Sequence, residues 1–321
     1  MTDADGYLQP LDLSGLTTYS IRDRKNLVRH TEFARLVEPT ASVVEFLDSL
    51  PRFLAARELL GAAECTARSV RRGRPVVVAL GGHVVKVGLG PVLIDLLDRK
   101  VISALVMNGA TAIHDFEIAM VGATSEDVHE NLQHGRFGMA RETPIAFGRA
   151  LGRARDGIGL GRAIGEQILA DGLPHADVSL LAQAARRRVP LTVHVGVGTD
   201  TIHMHPEIDG AELGLASHLD FRLLARIGLD LDDGTWINMG SAVVLPEVFL
   251  KIVSLARNLG RAVKGVTAIN FDMLQHYRTQ QNVLKRPVDR GISITGHHEI
   301  NIPLFRLALL AELARDEEPA T

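Results

Sequence analysis

The chain has 321 residues, with 35 Lys plus Arg, 38 Asp plus Glu and a hydrophobic fraction of 46%. A formal charge of −3 lacks the basic excess of a dedicated nucleic-acid binder. The apolar content excludes global disorder, and no apolar run approaches the ~18 residues of a membrane span.

In chain order, residues 1–40 read as an irregular arm, polar and acidic at its start and without the basic-then-apolar layout of a signal segment. Helical spacing runs from Ser42 to about Arg72 and is interrupted by Pro51. Pro75 to Leu80 is a short β-branched run between glycines, the pattern of a buried parallel strand. Gly81-Gly82-His83 follows, then a helix from Val84 to Arg99, a strand from Ser103 to Met107 ending in Asn108-Gly109-Ala110, and a helix from Thr111 to Val121. Strand, glycine turn, helix and strand in this order make a βαβ unit.

Ser125 to about Asp177 reads as helical and polar, lying over the sheet edge. A helix from Ser179 to Arg188 leads into the strand Leu191–Val195, which ends in Gly196-Val197-Gly198-Thr199-Asp200. Then come a helix (Glu212–Gly228), a strand (Trp236–Met239) ending in Gly240-Ser241-Ala242, and a helix (Pro246–Asn258). Strands Val263–Ile269, ending at Asn270, and Ser293–Thr295, ending at Gly296, precede a closing helix, Ile300–Ala314. The pattern predicts one α/β domain over 41–321: a doubly wound, mostly parallel, Rossmann-like sheet with an N-terminal helical extension.

Ligands of such sheets bind beyond the carboxyl ends of the strands. Small residues stand at nearly every such end here, where a backbone can approach a phosphate and the next helix offers unpaired N–H groups. Two of these turns, Gly81-Gly82 and Gly240-Ser241-Ala242, point to a dinucleotide. Gly157-Ile158-Gly159-Leu160-Gly161 follows a charged segment instead of a strand, so it reads as a flexible turn. Eight of the 13 histidines fall near strand ends: His83, His114, His194, His203, His205, His276, His297 and His298. Such histidines shuttle protons or bind substrate. Metal ligation by His203, His205, His297, His298 and Glu299 is a second reading, though no comparable ligand spacing is present. Lys86 and Lys251 read as snorkelling helix lysines. The single cysteine, Cys65, excludes an intrachain disulfide and fits a reducing, cytoplasmic compartment.

The order of motifs over residues 70–312 resembles the deoxyhypusine synthase superfamily. The family's first turn falls on Gly81-Gly82-His83, and its Thr-Ala-Gly-Gly on Asn108-Gly109-Ala110-Thr111, followed by His114-Asp115. Its Leu-Thr-Asp-Gly loop falls on Gly198-Thr199-Asp200-Thr201, its triple glycine on Gly240-Ser241-Ala242 and its Asn-Thr near Asn270. Arg286-Pro287 and His297-His298-Glu299 complete the series. Asn108 to Glu117 is also similar to the Gly-Asn-Ala-x-x-x-His-Asp-x-Glu pattern of the NAD-binding part of archaeal-type ornithine cyclodeaminases.

The resemblance implies NAD, a homo-oligomer (tetramer or dimer) and a small-molecule substrate. NAD would lie against Gly81, Gly82, His83, Asn108, Gly109, Ala110, Asp200, Gly240, Ser241, Ala242, Asn270 and His297. Substrate would face His114, Asp115, Glu117, His203, His205, Glu247 and His298, with His114 beside Asp115 as general base. One departure is decisive for the family's reaction. The imine-forming lysine of its Val-Pro-Lys-His-His run is missing from Val243-Val244-Leu245-Pro246-Glu247. The expectation is an NAD-dependent enzyme acting on a small amine, amino acid or polyol by transient oxidation, not a standard deoxyhypusine synthase. A metal-dependent hydrolase or lyase, or an inactive nucleotide-binding relative, is the alternative.

Overall fold

A computed structural model describes residues 4–315. Residues 4–40 carry one 3-10 turn, His30–Glu32, and are almost entirely exposed. Two helices follow, α1 (Val43–Ser49) and α2 (Leu54–Arg71), separated at Pro51 as expected.

The sheet is built from β1 (Val76–Leu80), β2 (Ala104–Asn108), β3 (Leu191–His194), β4 (Thr235–Met239), β5 (Thr267–Asp272) and β6 (Arg290–Thr295). All six strands are parallel, in the order β3-β2-β1-β4-β5-β6. The chain leaves β1 to one side and returns at β4 on the other, so the topological switch point lies between β1 and β4.

Helices α3 (Gly82–Lys86), α4 (Gly90–Asp98), α5 (Gly109–Val121), α6 (Val128–Gln133), α7 (Glu142–Gly152), α8 (Leu160–Ala170) and α9 (Leu180–Arg187) come before β3. Helices α10 (Gly210–Gly228), α11 (Val244–Asn258), α12 (Tyr277–Asn282) and α13 (His298–Ala314) come after it. Strand residues alternate between two cores. Val76, Val78 and Leu80 face the larger one, with Leu105, Met107, Ile237, Met239 and Phe271. Val77 and Ala79 face the smaller one, where Trp236 stacks on Phe249 of α11 at 4.2 Å between centroids. Burial on both faces explains why these strands read as continuous apolar runs.

Three expectations are corrected. The helix from Val84 to Arg99 is two helices, because the chain turns at Gly88 with φ +78°, and Pro91 restarts it in the first turn of α4. Val263 is not in β5: it has φ +47°, and Gly265 follows at +68°, so pairing begins only at Thr267. The stretch 125–177 is not simply polar, for α7 and α8 bury Phe147, Leu151, Leu160 and Ile164 in the larger core.

The β3 edge is closed by side chains of α10. Asp220 accepts from Val193 N at 2.8 Å, and Ser217 Oγ accepts from Val195 N and donates to Val193 O, each at 3.3 Å. The edge groups that invite another strand are thus occupied. Among the described residues no helix is long and apolar enough to cross a membrane.

Candidate active site

At the switch point the ends of β1 and β4 meet too closely for a side chain between them. Gly81 N donates to Met239 O at 2.8 Å, and Gly240 N donates to Phe271 O at 3.0 Å. A Cβ on Gly81 would overlap the Gly240 carbonyl. Gly240 itself has φ +70°, and a Cβ there would lie 2.9 Å from His298 Cε1. His298, the first residue of α13, is buried and donates from Nε2 to Phe271 O at 3.1 Å. Its ring lies 5.6 Å from that of His83. On the other side, the Cβ position of Gly82 is 3.1 Å from His114 Cδ2. His298, Gly240, Gly81, Gly82 and His114 therefore stand in one row along the carboxyl edge of the sheet.

His114, at the end of the row, lines a cleft of about 800 Å³. Its floor is α5, through Ala110, Ile113, His114 and Glu117; Lys86, Thr124, Phe137, Thr143 and Asp200 are among its walls. His114 and Glu117 are one helical turn apart, so both side chains share that face. Thr124 stands between them: His114 Nδ1 is 2.7 Å from Thr124 Oγ1, which donates to Glu117 Oε2 at 2.5 Å. Burial pushes the Glu117 pKa up, but the neighbouring His114 imidazole and the Thr124 hydroxyl outweigh it, leaving the carboxyl below its ordinary value.

Asp200 forms the far wall. Its carboxylate occupies the start of α5, against Gly109, and takes a hydrogen bond from the Ala110 backbone. Burial pushes its pKa up to about 6. Asp200 Oδ2 and His203 Nε2 face each other at 3.9 Å, both buried and neither with a hydrogen-bond partner. His203 Nδ1 accepts from Gly198 N at 3.0 Å and Asp200 N at 3.3 Å. A nitrogen accepting from backbone N–H groups carries no proton, so the neutral ring holds its hydrogen on Nε2. His203 thus keeps its hydrogen on an unpartnered Nε2, and burial lowers its pKa.

No protein-family model matches the chain, and no curated protein matches its sequence. Solved structures do. Unliganded AgrE superposes with a TM-score of 0.51 at 16% identity, over 83% of this chain and 34% of AgrE. AgrE in its ternary complex with ornithine and NAD+ gives 0.50 at 15%, over 81% and 33%. A protein assigned as a deoxyhypusine synthase from Entamoeba histolytica gives 0.51 at 11%, over 85% of this chain and 94% of that one. The fold is that of a deoxyhypusine synthase. The chain spans about a third of the length of AgrE.

Within the deoxyhypusine synthase fold, several expected site residues stand elsewhere. Leu245, in the run where the family carries its lysine, is fully buried in the smaller core. Asp115 is turned away from the cleft and buried; it accepts from Ser179 Oγ at 2.6 Å, Leu180 N at 2.8 Å and Leu181 N at 2.9 Å, tying down the start of α9. It is a helix cap, not a partner of His114, and burial raises its pKa to about 6. Asn108 caps α5 by accepting from Thr111 N at 2.9 Å and Thr111 Oγ1 at 2.6 Å. Asn270 is fully buried: it accepts from Asn238 Nδ2 at 2.6 Å and donates to Gln275 Oε1 at 2.7 Å, bracing β4 against β5.

Glu247 lies on the outer side of α11, paired with Lys251 and bonded by Asn282 Nδ2 at 2.7 Å. It does not line the cleft. Ser241 is buried, its Oγ accepting from Leu245 N at 3.3 Å, while Ala242 next to it stays partly open. His205 bonds to Gly138 O at 2.7 Å and closes the loop around 136–139. His297 is exposed, 3.8 Å from Glu299. The histidines and carboxylates of the metal reading are therefore scattered, and among the described residues no three His, Cys, Asp or Glu stand together as a metal site.

Sequence reasoning missed Thr124 and Thr143. Thr124 follows the left-handed turn at Gly122 and Thr143 opens α7, and only their position beside Glu117 gives them a part. Lys86, a helix lysine exposed at the end of α3, also lines the cleft.

Proposed function

We propose that the chain is an NAD-dependent enzyme that acts on a small amine, amino acid or polyol by transient oxidation and does not run the deoxyhypusine synthase reaction. The observation that carries this is the row from His298 through the paired glycines to His114, which ends at the cleft that His114 lines. A neighbour of the same fold, AgrE, was solved with ornithine and NAD+ bound.

The glycine cradle fits a dinucleotide. Gly81 and Val243, the residues that precede α3 and α11, offer no capping side chain, and in the first turn of α11 only Ser241 Oγ reaches in, to Leu245 N at 3.3 Å. By contrast, the start of α5 is already filled by Asn108 and Asp200. The pyrophosphate would accordingly be held by Gly81, Gly82, Gly240 and Ala242, and not by Asn108, Gly109 and Ala110. NAD, when bound, supplies a hydride acceptor. The chain's own residues do the rest. His114 takes a proton from substrate nitrogen or oxygen, Glu117 answers the imidazolium charge, and Ile113, Met120 and Phe137 exclude water.

The test is direct. Freshly purified protein is denatured and its supernatant assayed by mass spectrometry for nicotinamide nucleotides; the stripped protein is then titrated with NAD. Bound or binding NAD is the expected result, and its absence sinks the redox reading. In a screen of amines, amino acids and polyols read by NADH absorbance, His114→Ala should lower turnover by about 10²–10⁴-fold with NAD affinity kept. An unchanged rate would remove His114 from the mechanism.

We also propose a cytoplasmic homo-oligomer. Tyr7, Leu8, Leu11, Leu13 and Leu16 are all more than half exposed on the arm, an apolar surface that a further copy would cover. Light scattering at micromolar concentration should give a multiple of 34.8 kDa; a monomer counts against shared sites.

A further inference from the structure

We propose that Thr124 is a positioning residue: its hydroxyl, clasped between Glu117 and His114, fixes His114 as the Nδ1–H tautomer and leaves Nε2 as the base of the cleft. An ionised carboxylate only accepts hydrogen bonds. Glu117 is held ionised by its neighbours, so the 2.5 Å contact with Thr124 is a donation from the hydroxyl. A threonine hydroxyl has one proton, and it is now committed. Towards His114 the same oxygen has only lone pairs to offer, and the 2.7 Å contact requires a hydrogen on Nδ1.

Nε2 is then the bare nitrogen of the neutral ring. Among the described residues it makes no hydrogen bond, and it lies on the side facing Gly82, 3.6 Å from that residue's Cβ position. Free imidazole has no comparable device to select its tautomer. Without the hydroxyl, Nδ1 would sit 3.9 Å from Glu117 Oε2, too far for a direct bond. Thr124 thus carries the influence of Glu117 across a gap that the two residues do not bridge themselves.

The consequence is a base pointed at the cleft and braced from behind. When a substrate X–H gives up its proton, the electron pair stays on X, the proton goes to Nε2, and Nδ1–H remains on Thr124. The positive charge that results faces Glu117 through the hydroxyl. This contrasts with His203, whose Nδ1 is an acceptor and whose Nε2 carries the hydrogen. Two histidines bordering one region are held in opposite tautomers, and only His114 can accept a proton without breaking its hydrogen bonds.

The tautomer rests on protein atoms alone; what the base acts on rests on the proposed function. The experiment keeps the two apart. The full chain, labelled with ¹⁵N-histidine and free of NAD and substrate, is read by long-range ¹⁵N–¹H correlation, with the His114 signals assigned from His114→Gln. The expected result is a pyrrole-like Nδ1 and a pyridine-like Nε2. In Thr124→Val, which keeps the shape and removes the hydroxyl, the two signal types should exchange, and Thr124→Ser should restore the original pattern. Glu117→Gln provides a second arm, because an amide that also donates no longer forces the hydroxyl to point one way. A pyridine-like Nδ1 in the wild type, or an unchanged pattern in Thr124→Val, overturns the relay. Retention of the tautomer in a protein that fails to bind NAD overturns the redox reading alone.

Discussion

Gly81→Ala should lower the stability of the fold by about 3 kcal/mol, the upper end of the usual cost of overpacking, and abolish the NAD binding proposed for the cradle. The added Cβ meets the Gly240 carbonyl, which is backbone, not a side chain that can swing away. Neither strand can slide to make room. β1 is paired to β2 and β4, and β4 to β5, each in a fixed parallel register. Relief must therefore come from opening the sheet at its centre, where Leu80 and Met239 are fully buried. Gly82→Ala is the control. Its Cβ meets His114 Cδ2 at 3.1 Å, the edge of a side chain that can shift by tenths of an ångström. Urea denaturation should show a large loss for Gly81→Ala and a small one for Gly82→Ala. A wild-type midpoint for Gly81→Ala would mean that the two strands do not approach as described.

Much of this fold was written in local pattern. Val76 to Leu80 announces a strand because β-branched residues buried on both faces leave no alternation to confuse with a helix. The glycine turns announce the strand ends, because only they allow the approaches seen at Gly81 and Gly240. What local pattern misses is where the chain changes direction without changing composition. Gly88 lies in an apolar stretch that is helix-compatible throughout, yet its positive φ divides it. Val263 has the character of a strand residue, but the bonds that settle its neighbourhood come from far away: Asp232 and Asp289 accept from Lys264 N and Gly265 N.

The site was half legible for a similar reason. His114 and Glu117 are separated by three residues on one helix, and spacing alone puts them together. Asp115 sits between them in sequence and looked like their partner, yet the same helical geometry turns it to the opposite face, into the start of α9. Thr124 lies seven residues beyond Glu117, past the left-handed turn at Gly122. No periodicity reaches across such a turn. The chemistry of Asp200 and His203 could be named from sequence, but their burial could not, and burial decides what each can do.

Asp220 carries the other large effect. It is fully buried in α10, and its Oδ2 accepts from Gly161 N at 2.9 Å and Val193 N at 2.8 Å, joining α8, α10 and the β3 edge. It also explains the glycines at 157–161, which are no phosphate loop: a Cβ on Gly159 would overlap the Asp220 carboxylate, which fills the anion seat at the start of α8. Asp220→Ala leaves two buried N–H groups without a partner, at about 1–3 kcal/mol each. The loss should total several kcal/mol, enough to threaten folding at the usual margin of about 5–15 kcal/mol.

Asp220→Asn separates charge from geometry, since its single oxygen can keep both bonds. Burial raises the Asp220 pKa from 3.8 to about 7. A carboxyl raised in the folded state contributes stability that is complete below pH 3.8 and is lost as pH climbs through about 7. Asp115 and Asp200, each raised to about 6, act in the same direction. His194, buried and lowered to about 4, acts in the opposite one, losing stability as pH falls below its ordinary 6.5. The wild-type curve sums these, whereas the difference between wild type and Asp220→Asn isolates one group. That difference should shift in favour of the asparagine variant as pH rises from 5 to about 8, measured as paired urea midpoints. Parallel curves would show that Asp220 does not change its charge over this range and that its carboxyl is better solvated than its burial implies.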